Sequence, residues 1–268
     1  MTFFIHFKFK KYHLYKILIN NCQSNSLKRG IIIFKKLGEN YTINNKKKFN
    51  SLGIFTQEEV KEAFEFAYEM SFGTGGEHRN HRSGGLTQRD NSEMFINTFQ
   101  GKLAEVAFYK EAVKNGIELS KPDFEMYDLG KWDDADFEYK GDHISIKSAA
   151  YFSNLLLLET KDWDSKGVYI PNNKIYDYHF LVRISPDGKK KMKDYNLLNK
   201  KNVSKEELKE KISSENWEYD IPGCITNEDL ISIIKSRNII PQRAMLNGKI
   251  KMDAENYYIQ CGDLREIK

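Results

Sequence analysis

The spacing of apolar side chains predicts a chain in which helices and strands alternate. A periodic run over residues 56–70 opens with Thr56-Gln-Glu-Glu59, the capping-box pattern that begins a helix. A second helix is predicted over residues 92–114, and it ends at Asn115-Gly116, a usual C-terminal signal. Two further helices are predicted over residues 204–212 and 226–236.

Short apolar runs between these helices predict strands. Residues 135–139 and 143–148 form two of them, and 178–184 reads as a mostly buried third strand. A turn at Asn247-Gly248 and a last strand over 257–260 follow. Because strands and helices interleave, the predicted class is α/β, with a central mixed β-sheet flanked by α-helices.

Charge divides the chain into two parts. Of its 268 residues, 40% are hydrophobic and 30% charged, which is typical of a globular protein. The net charge is +4, but residues 1–50 hold eleven Lys or Arg and one acid, so they carry +10 and leave −6 on the rest. The sequence therefore predicts a basic extension over residues 1–50 and a single domain over 51–268. The extension is either a DNA-binding tail or a lysine-rich segment without a defined role.

The cysteines and the N-terminus bear on where the protein works. Three scattered cysteines without CxxC spacing predict neither a disulfide framework nor a structural zinc site, so a reducing cytoplasm is expected. The apolar runs of the first twenty residues are too short for a signal peptide or a membrane span. No membrane association is expected.

Residues 134–147 carry the most informative pattern. A two-residue hairpin loop at Gly141-Asp142 would place Asp136 opposite Lys147 and Glu138 opposite Ser145. Directly opposed residues have Cβ atoms roughly 4.5–5.5 Å apart, so Asp136 and Lys147 could share one site. The polar face of this hairpin would gather Asp134, Asp136, Glu138, Ser145 and Lys147. The alternative is a solvated strand face with alternating charges.

A helical carboxylate adds to this pattern. Glu105 lies on the same flank of its helix as Phe108 and Ala112, so it is expected to lean towards the interior. A buried acid is costly without a cation or a hydrogen-bond partner. The alternative is a surface glutamate at the edge of the apolar stripe.

Together these residues resemble the core of the PD-(D/E)XK nucleases, and most of all type II restriction endonucleases. The resemblance rests on Gly101-x-x-x-Glu105, then Asp136 at the start of a strand, then Ile144-Ser-Ile-Lys147-Ser. It covers residues 100–148, and more weakly 178–184 and 223–264. It implies a restriction-endonuclease-like core and a Mg²⁺ cofactor. It also implies metal binding by Asp136 and Glu105, and a Lys147 that assists the attacking water.

The sequence departs from the family pattern at Ser145, which stands in the place of the second acid. A hydroxyl cannot replace a charged ligand of Mg²⁺, which is usually bound through one or two carboxylates. Another carboxylate would have to supply the missing charge. Glu105 is the first candidate and Glu138 the second.

Further residues are candidates for contact with DNA. The loop Glu77-His-Arg-Asn-His-Arg82 combines side chains that read guanine and adenine, although an ordinary surface loop is an equal alternative. The DNA-binding candidates are Arg79, Asn80, His81, Arg82, Arg89, Lys102 and Ser148.

The sequence thus predicts a Mg²⁺-dependent, sequence-specific double-stranded DNA endonuclease of the type II restriction class. The resemblance implies a homodimer, since two-fold symmetry lets two identical sites cut both strands. Two alternatives stay open. One is a repair or junction-resolving nuclease of the same fold. The other is a non-catalytic DNA-binding domain derived from it, for which Ser145 is the main argument.

Overall fold

The computed structural model shows a mixed α/β protein, which confirms the predicted class. It describes residues 34–73, 90–125, 135–198, 200 and 203–267. Within these ranges there are five α-helices, a five-stranded mixed sheet and three smaller sheets. No helix of the described ranges is long and apolar enough to cross a membrane.

The helices follow the predicted pattern closely. They are α1 (Gln57–Phe72), α2 (Asn91–Lys114), α3 (Gly188–Asp194), α4 (Lys205–Ser213) and α5 (Asn227–Lys235). Thr56 and Thr226 each form a complete capping box at the start of α1 and α5. Only α3 was not predicted, because its Gly-Lys-Lys-Lys start lacks an apolar period.

The strands build one large and three small sheets. In chain order they are β1 (Lys35–Leu37), β2 (Asn40–Thr42), β3 (Gly53–Ile54), β4 (Phe137–Tyr139), β5 (Asp142–Ala150), β6 (Leu155–Glu159), β7 (Val168–Tyr169), β8 (Lys174–Ile175), β9 (Tyr178–Ser185), β10 (Glu218–Thr226), β11 (Ile239–Ile240), β12 (Met245–Leu246), β13 (Ile250–Lys251) and β14 (Asn256–Gln260). The central sheet has the order β3-β10-β9-β5-β4. Its β5–β9 pair is parallel and its other pairs are antiparallel.

The two faces of the central sheet are covered by different elements. Helix α2 packs on one face, where the Phe108 ring lies 5.3 Å from Phe137 and 4.7 Å from Phe180. The other face belongs to a second core, in which Leu181 and Ile225 pack with side chains of β6 and α5. Side chains alternate between these faces along β5 and β9, so Ser145 and Lys147 of β5 point away from α2.

Residues 34–50 belong to the folded body, although the sequence analysis placed them in an extension. The Phe34 ring stacks on Tyr258 at 3.9 Å. Asn45 Nδ2 donates to Asp263 Oδ1 at 2.6 Å. Arg183 donates to the carbonyl of Lys47 at 2.8 Å. The domain therefore reaches at least to Phe34, while residues 1–33 lie outside the described ranges.

The two cysteines of the described ranges differ in state. Cys261 is a buried free thiol, and burial raises its pKa to about 12. Cys224 is disulfide-bonded. The scattered spacing of the cysteines did not predict this bridge.

Candidate active site

The β4–β5 hairpin turns one residue earlier than predicted. Phe137 pairs with Ile144 and Tyr139 with Asp142, so the loop is Lys140-Gly141. Its two residues have φ values of +53° and +89°, the left-handed pair that a type I′ turn needs. The predicted Gly141-Asp142 loop is therefore wrong, and every cross-strand partner moves by two positions. Two positions keep each side chain on its face, so Ile144 and Ile146 still face α2.

This shift changes the neighbours of the two predicted catalytic residues. The register, continued past Phe137, places Asp136 beside Ser145 and not beside Lys147. Asp136 Oδ2 accepts a hydrogen bond of 2.5 Å from the backbone N–H of Ile146. The predicted direct pairs Asp136–Lys147 and Glu138–Ser145 are wrong: Glu138 is exposed and lies opposite His143. Asp136 instead contacts β5 one residue before Lys147.

A cleft lies along the edge of β5 that β4 leaves free. Strand β4 pairs only with Asp142–Ile144, whereas β9 pairs along Ile144–Ala150 on the other side. The cleft has a volume of about 570 Å³ and lies between β5, α2, the start of α3 and β6. Its polar lining residues are Asn97, Gln100, Lys147, Ser148, Ser153, Glu159, Asp187, Lys189 and Asn256.

Lys147 lines this cleft, together with a second cation, Lys189, and the carboxylates of Glu159 and Asp187. It is half-buried, and its ammonium forms no hydrogen bond or ion pair with any side chain of the described ranges. An ammonium that no side chain engages is able to bind an anionic ligand. A phosphate group of a nucleic acid is such a ligand.

The residue beside Ser145 on β9 is His179, which the sequence analysis passed over. It is fully buried, and neither ring nitrogen has a hydrogen-bond partner among the described residues. Trp163 packs edge-on against it at 5.0 Å. Burial, and after it the charge of Lys147, lowers the pKa of His179 to about 3. The imidazole next to Lys147 is therefore neutral at physiological pH.

Glu105 is oriented as predicted but is held by a neighbour on its own helix. Its side chain is 15% exposed, which confirms that it leans inward. Its Oε2 accepts from Lys102 Nζ at 2.7 Å, and Lys102 also donates to the carbonyl of Asp123 at 2.7 Å. Because α2 covers the face opposite to Lys147, Glu105 would reach Asp136 only around the free edge of β5.

The ligand atoms near Asp136 are of the type that Mg²⁺ prefers, but there is only one carboxylate among the described residues there. Mg²⁺ is usually bound through one or two carboxylates and keeps several waters. Asp136 supplies one carboxylate, whose Oδ1 is not hydrogen-bonded to a described residue. Over the described ranges, no group of three or more His, Cys, Asp or Glu side chains could hold a metal ion. Ser145 is buried and adds no charge.

The predicted DNA-contact residues fall into three groups. Lys102 is engaged with Glu105 and lies 4.8 Å from the centre of the Phe66 ring, so a phosphate contact would have to break that ion pair. Ser148 is exposed and lines the cleft. Asp134 and the candidates Arg79, Asn80, His81, Arg82 and Arg89 lie outside the described residues.

Gln100 is the cleft residue that the sequence could have revealed. It lies between Ile96 and Leu103 in the buried stripe of α2, where a polar side chain is unexpected. Its Nε2 is buried without a hydrogen-bond partner among the described residues. Its side chain packs against Gly188 of α3, where a Cβ atom would lie 3.0 Å from Gln100 Cδ.

Comparison of the chain with protein-family models, with curated proteins and with solved structures finds no match. Three features bear on its function: the Asp136 contact with β5, a Lys147 that forms no ion pair with a described residue, and the polar cleft beside them.

Proposed function

We propose that the chain is a Mg²⁺-dependent DNA endonuclease of the PD-(D/E)XK type, with Asp136 and Lys147 as its catalytic residues. One observation carries the proposal. The Asp136 carboxylate contacts β5 at Ile146, one residue before a Lys147 that lines a cleft and forms no ion pair with a described residue. The order of α2, the β4–β5 hairpin and the parallel strand β9 supports a restriction-endonuclease-like core.

The residue types suit phosphodiester hydrolysis. Lys147 would bind a phosphate oxygen or orient the attacking water, and its charge would offset the charge that develops in the transition state. Asp136 would hold Mg²⁺ through Oδ1, while the N–H of Ile146 fixes Oδ2. When bound, Mg²⁺ lowers the pKa of a coordinated water and neutralises phosphate charge.

The missing second carboxylate is assigned to Glu105 in preference to Glu138. Glu138 is exposed and paired towards the hairpin turn, away from the cleft. Glu105 is mostly buried and would have to exchange Lys102 for the metal site. A type II restriction enzyme that works as a homodimer on double-stranded DNA is the specific form proposed.

Incubation of the purified protein with supercoiled plasmid, in Mg²⁺ and in EDTA, tests this function. We expect cutting in Mg²⁺ only, and a loss of about 100-fold or more in rate for Asp136→Ala and Lys147→Ala. Asp194→Ala and Lys166→Ala, which change exposed charges outside the cleft, serve as matched controls and should cut normally.

The pattern of products separates the related functions. Discrete fragments indicate a restriction enzyme, whereas a preference for branched DNA indicates a junction-resolving nuclease. A wild-type protein that binds DNA but cuts none in Mg²⁺ would overturn the nuclease proposal in favour of a DNA-binding domain. Full activity in Glu105→Ala together with its loss in Glu138→Ala would reverse the choice of second carboxylate.

A further inference from the structure

The cleft beside Lys147 carries hydrogen-bonding groups that phosphate hydrolysis does not use. Three amide side chains line it, from Asn97 and Gln100 of α2 and from Asn256 of β14. An amide offers a donor and an acceptor side by side, which is the arrangement that matches the edge of a nucleobase. The lining therefore suits a base as well as a phosphate.

Gln100 points most directly to a ligand. Its Nε2 is buried, and it has no hydrogen-bond partner in the described part of the chain. Buried polar groups in folded proteins are nearly always hydrogen-bonded, so each exception calls for an explanation. Because Nε2 is closed to solvent in this conformation, the Gln100 amide would rotate towards the cleft to donate to an acceptor atom of a bound base.

An exposed aromatic ring lines the same cleft. Phe152 follows the end of β5, and 53% of its surface is exposed, which is unusual for a phenylalanine. Nucleobases stack on such rings whatever their sequence. Tyr151, its neighbour, is 40% exposed but does not line the cleft.

The size of the cleft limits what it can hold. Its volume of about 570 Å³ lies within the range of roughly 300–1,000 Å³ that suits small molecules. That space accommodates one nucleotide. It is too small for a stretch of base-paired duplex.

We infer that this cleft binds one unpaired nucleotide of the DNA substrate, with its base stacked on Phe152 and hydrogen-bonded to Gln100 and its phosphate at Lys147. The inference rests on the proposed function for the choice of DNA. It adds that the preferred substrate contains a nucleotide outside the double helix, either unpaired beforehand or turned out of the stack on binding.

Binding to three oligonucleotides tests the inference. They are an intact duplex, the same duplex with a single-nucleotide bulge, and the single strand, with 2-aminopurine at the bulge position of the last two. Affinity is measured by fluorescence anisotropy in Ca²⁺, without added Mg²⁺. We expect the bulged duplex to bind about tenfold more tightly than the intact one, and the 2-aminopurine fluorescence to be quenched by stacking.

Two variants and one matched control locate the base. Phe152→Ala should lose about tenfold in affinity for the bulged duplex and should also lose the quenching. Ile170→Ala, at an exposed apolar residue outside the cleft, should keep both, whereas Tyr151 packs edge-on against Phe152 and is unsuitable as the control. Gln100→Leu keeps a similar volume but removes the amide, so it should weaken binding of the bulged duplex more than binding of the intact duplex. Circular dichroism of each variant shows whether it is folded.

The inference is overturned if the wild-type protein binds intact and bulged duplexes equally without quenching, or if Phe152→Ala and Ile170→Ala behave alike. Its failure is distinguishable from that of the nuclease proposal. Quenching at the bulge without any plasmid cutting in Mg²⁺ would retain the cleft and reject the enzyme. Plasmid cutting without a preference for the bulged duplex would support the nuclease and reject the nucleotide site in the cleft.

Discussion

Lys147 on β5 and Arg183 on β9 are cations on neighbouring strands, and they differ in whether they have an ion-pair partner. Arg183 is fully buried, and its guanidinium is paired with Asp220 at 2.8 and 2.5 Å. Removing one partner of such a buried pair is strongly destabilising. Lys147 points to the same face without a carboxylate partner among the described residues. Arg183 thus has a structural role, whereas Lys147 is available to bind a ligand.

His179 gives a prediction about acid stability. Its pKa is about 3 in the folded protein, mainly through burial, whereas an unperturbed histidine titrates near 6.5. Between these values the unfolded chain binds one more proton than the folded one. The free energy of unfolding is therefore unaffected by His179 protonation above pH 6.5, and it falls progressively as the pH falls from 6.5 towards 3.

Replacing His179 by leucine should flatten this dependence. Between pH 7 and pH 5 the wild-type protein should lose about 2 kcal/mol of unfolding free energy that His179→Leu does not lose. Urea unfolding followed by tryptophan fluorescence at both pH values measures the difference. His143→Gln, which changes the half-exposed histidine of β5 and leaves His179 in place, is the control and should keep the loss that His179→Leu removes. If the wild type and His179→Leu lost the same unfolding free energy between pH 7 and pH 5, the prediction would be contradicted.

At the level of single elements, the hairpin depends on backbone geometry at its turn. Gly141 has φ +89°, so alanine at this position should cost about 1–2 kcal/mol. Gly101, in the middle of α2, has no heavy atom within 4 Å of an added Cβ. Gly101→Ala should therefore stabilise the protein by about 0.5–1 kcal/mol. Urea titrations measure the unfolding free energy of both variants. If both substitutions changed it in the same direction, the positive φ at Gly141 would not be what the turn depends on.

Helix ends were predictable because their signals are local. Thr56 and Thr226 cap α1 and α5 where the sequence analysis began these helices. The hairpin faces were also predictable, since alternation survives any even shift of register. Its register was not, because both possible loops contain Gly141, and the choice depended on whether Lys140 could adopt a positive φ.

Strand β10 and the cleft were missed for physical reasons. Asp220, Pro222 and Gly223 interrupt the apolar pattern of β10, and the structure accommodates them with an irregularity between Asp220 and Gly223 and with the Arg183 ion pair. The cleft combines residues of α2, α3, β5, β6 and β14. No local pattern can show that elements so distant in sequence meet.

For the whole molecule, the N-terminal part of the described chain is joined to its C-terminal part. Strand β2 pairs in parallel with β12, and Tyr41 lies beside Leu246 in that pair. Lys47 Nζ donates to the carbonyl of Pro222 at 2.7 Å. At least one lysine of the basic segment is therefore held on the protein surface and does not belong to a mobile DNA-binding arm.

This connection predicts that a residue assigned by composition to the extension supports the stability of the entire domain. Tyr41 is buried in a core that also contains Leu155 and Tyr258, so Tyr41→Ala should cost about 3 kcal/mol. Lys46→Ala, five residues away and exposed, should stay within about 0.5 kcal/mol of the wild type. Urea midpoints measure both. If residues 34–50 were an independent arm, neither substitution would move the midpoint, because a segment that packs on nothing adds nothing to the free energy of unfolding.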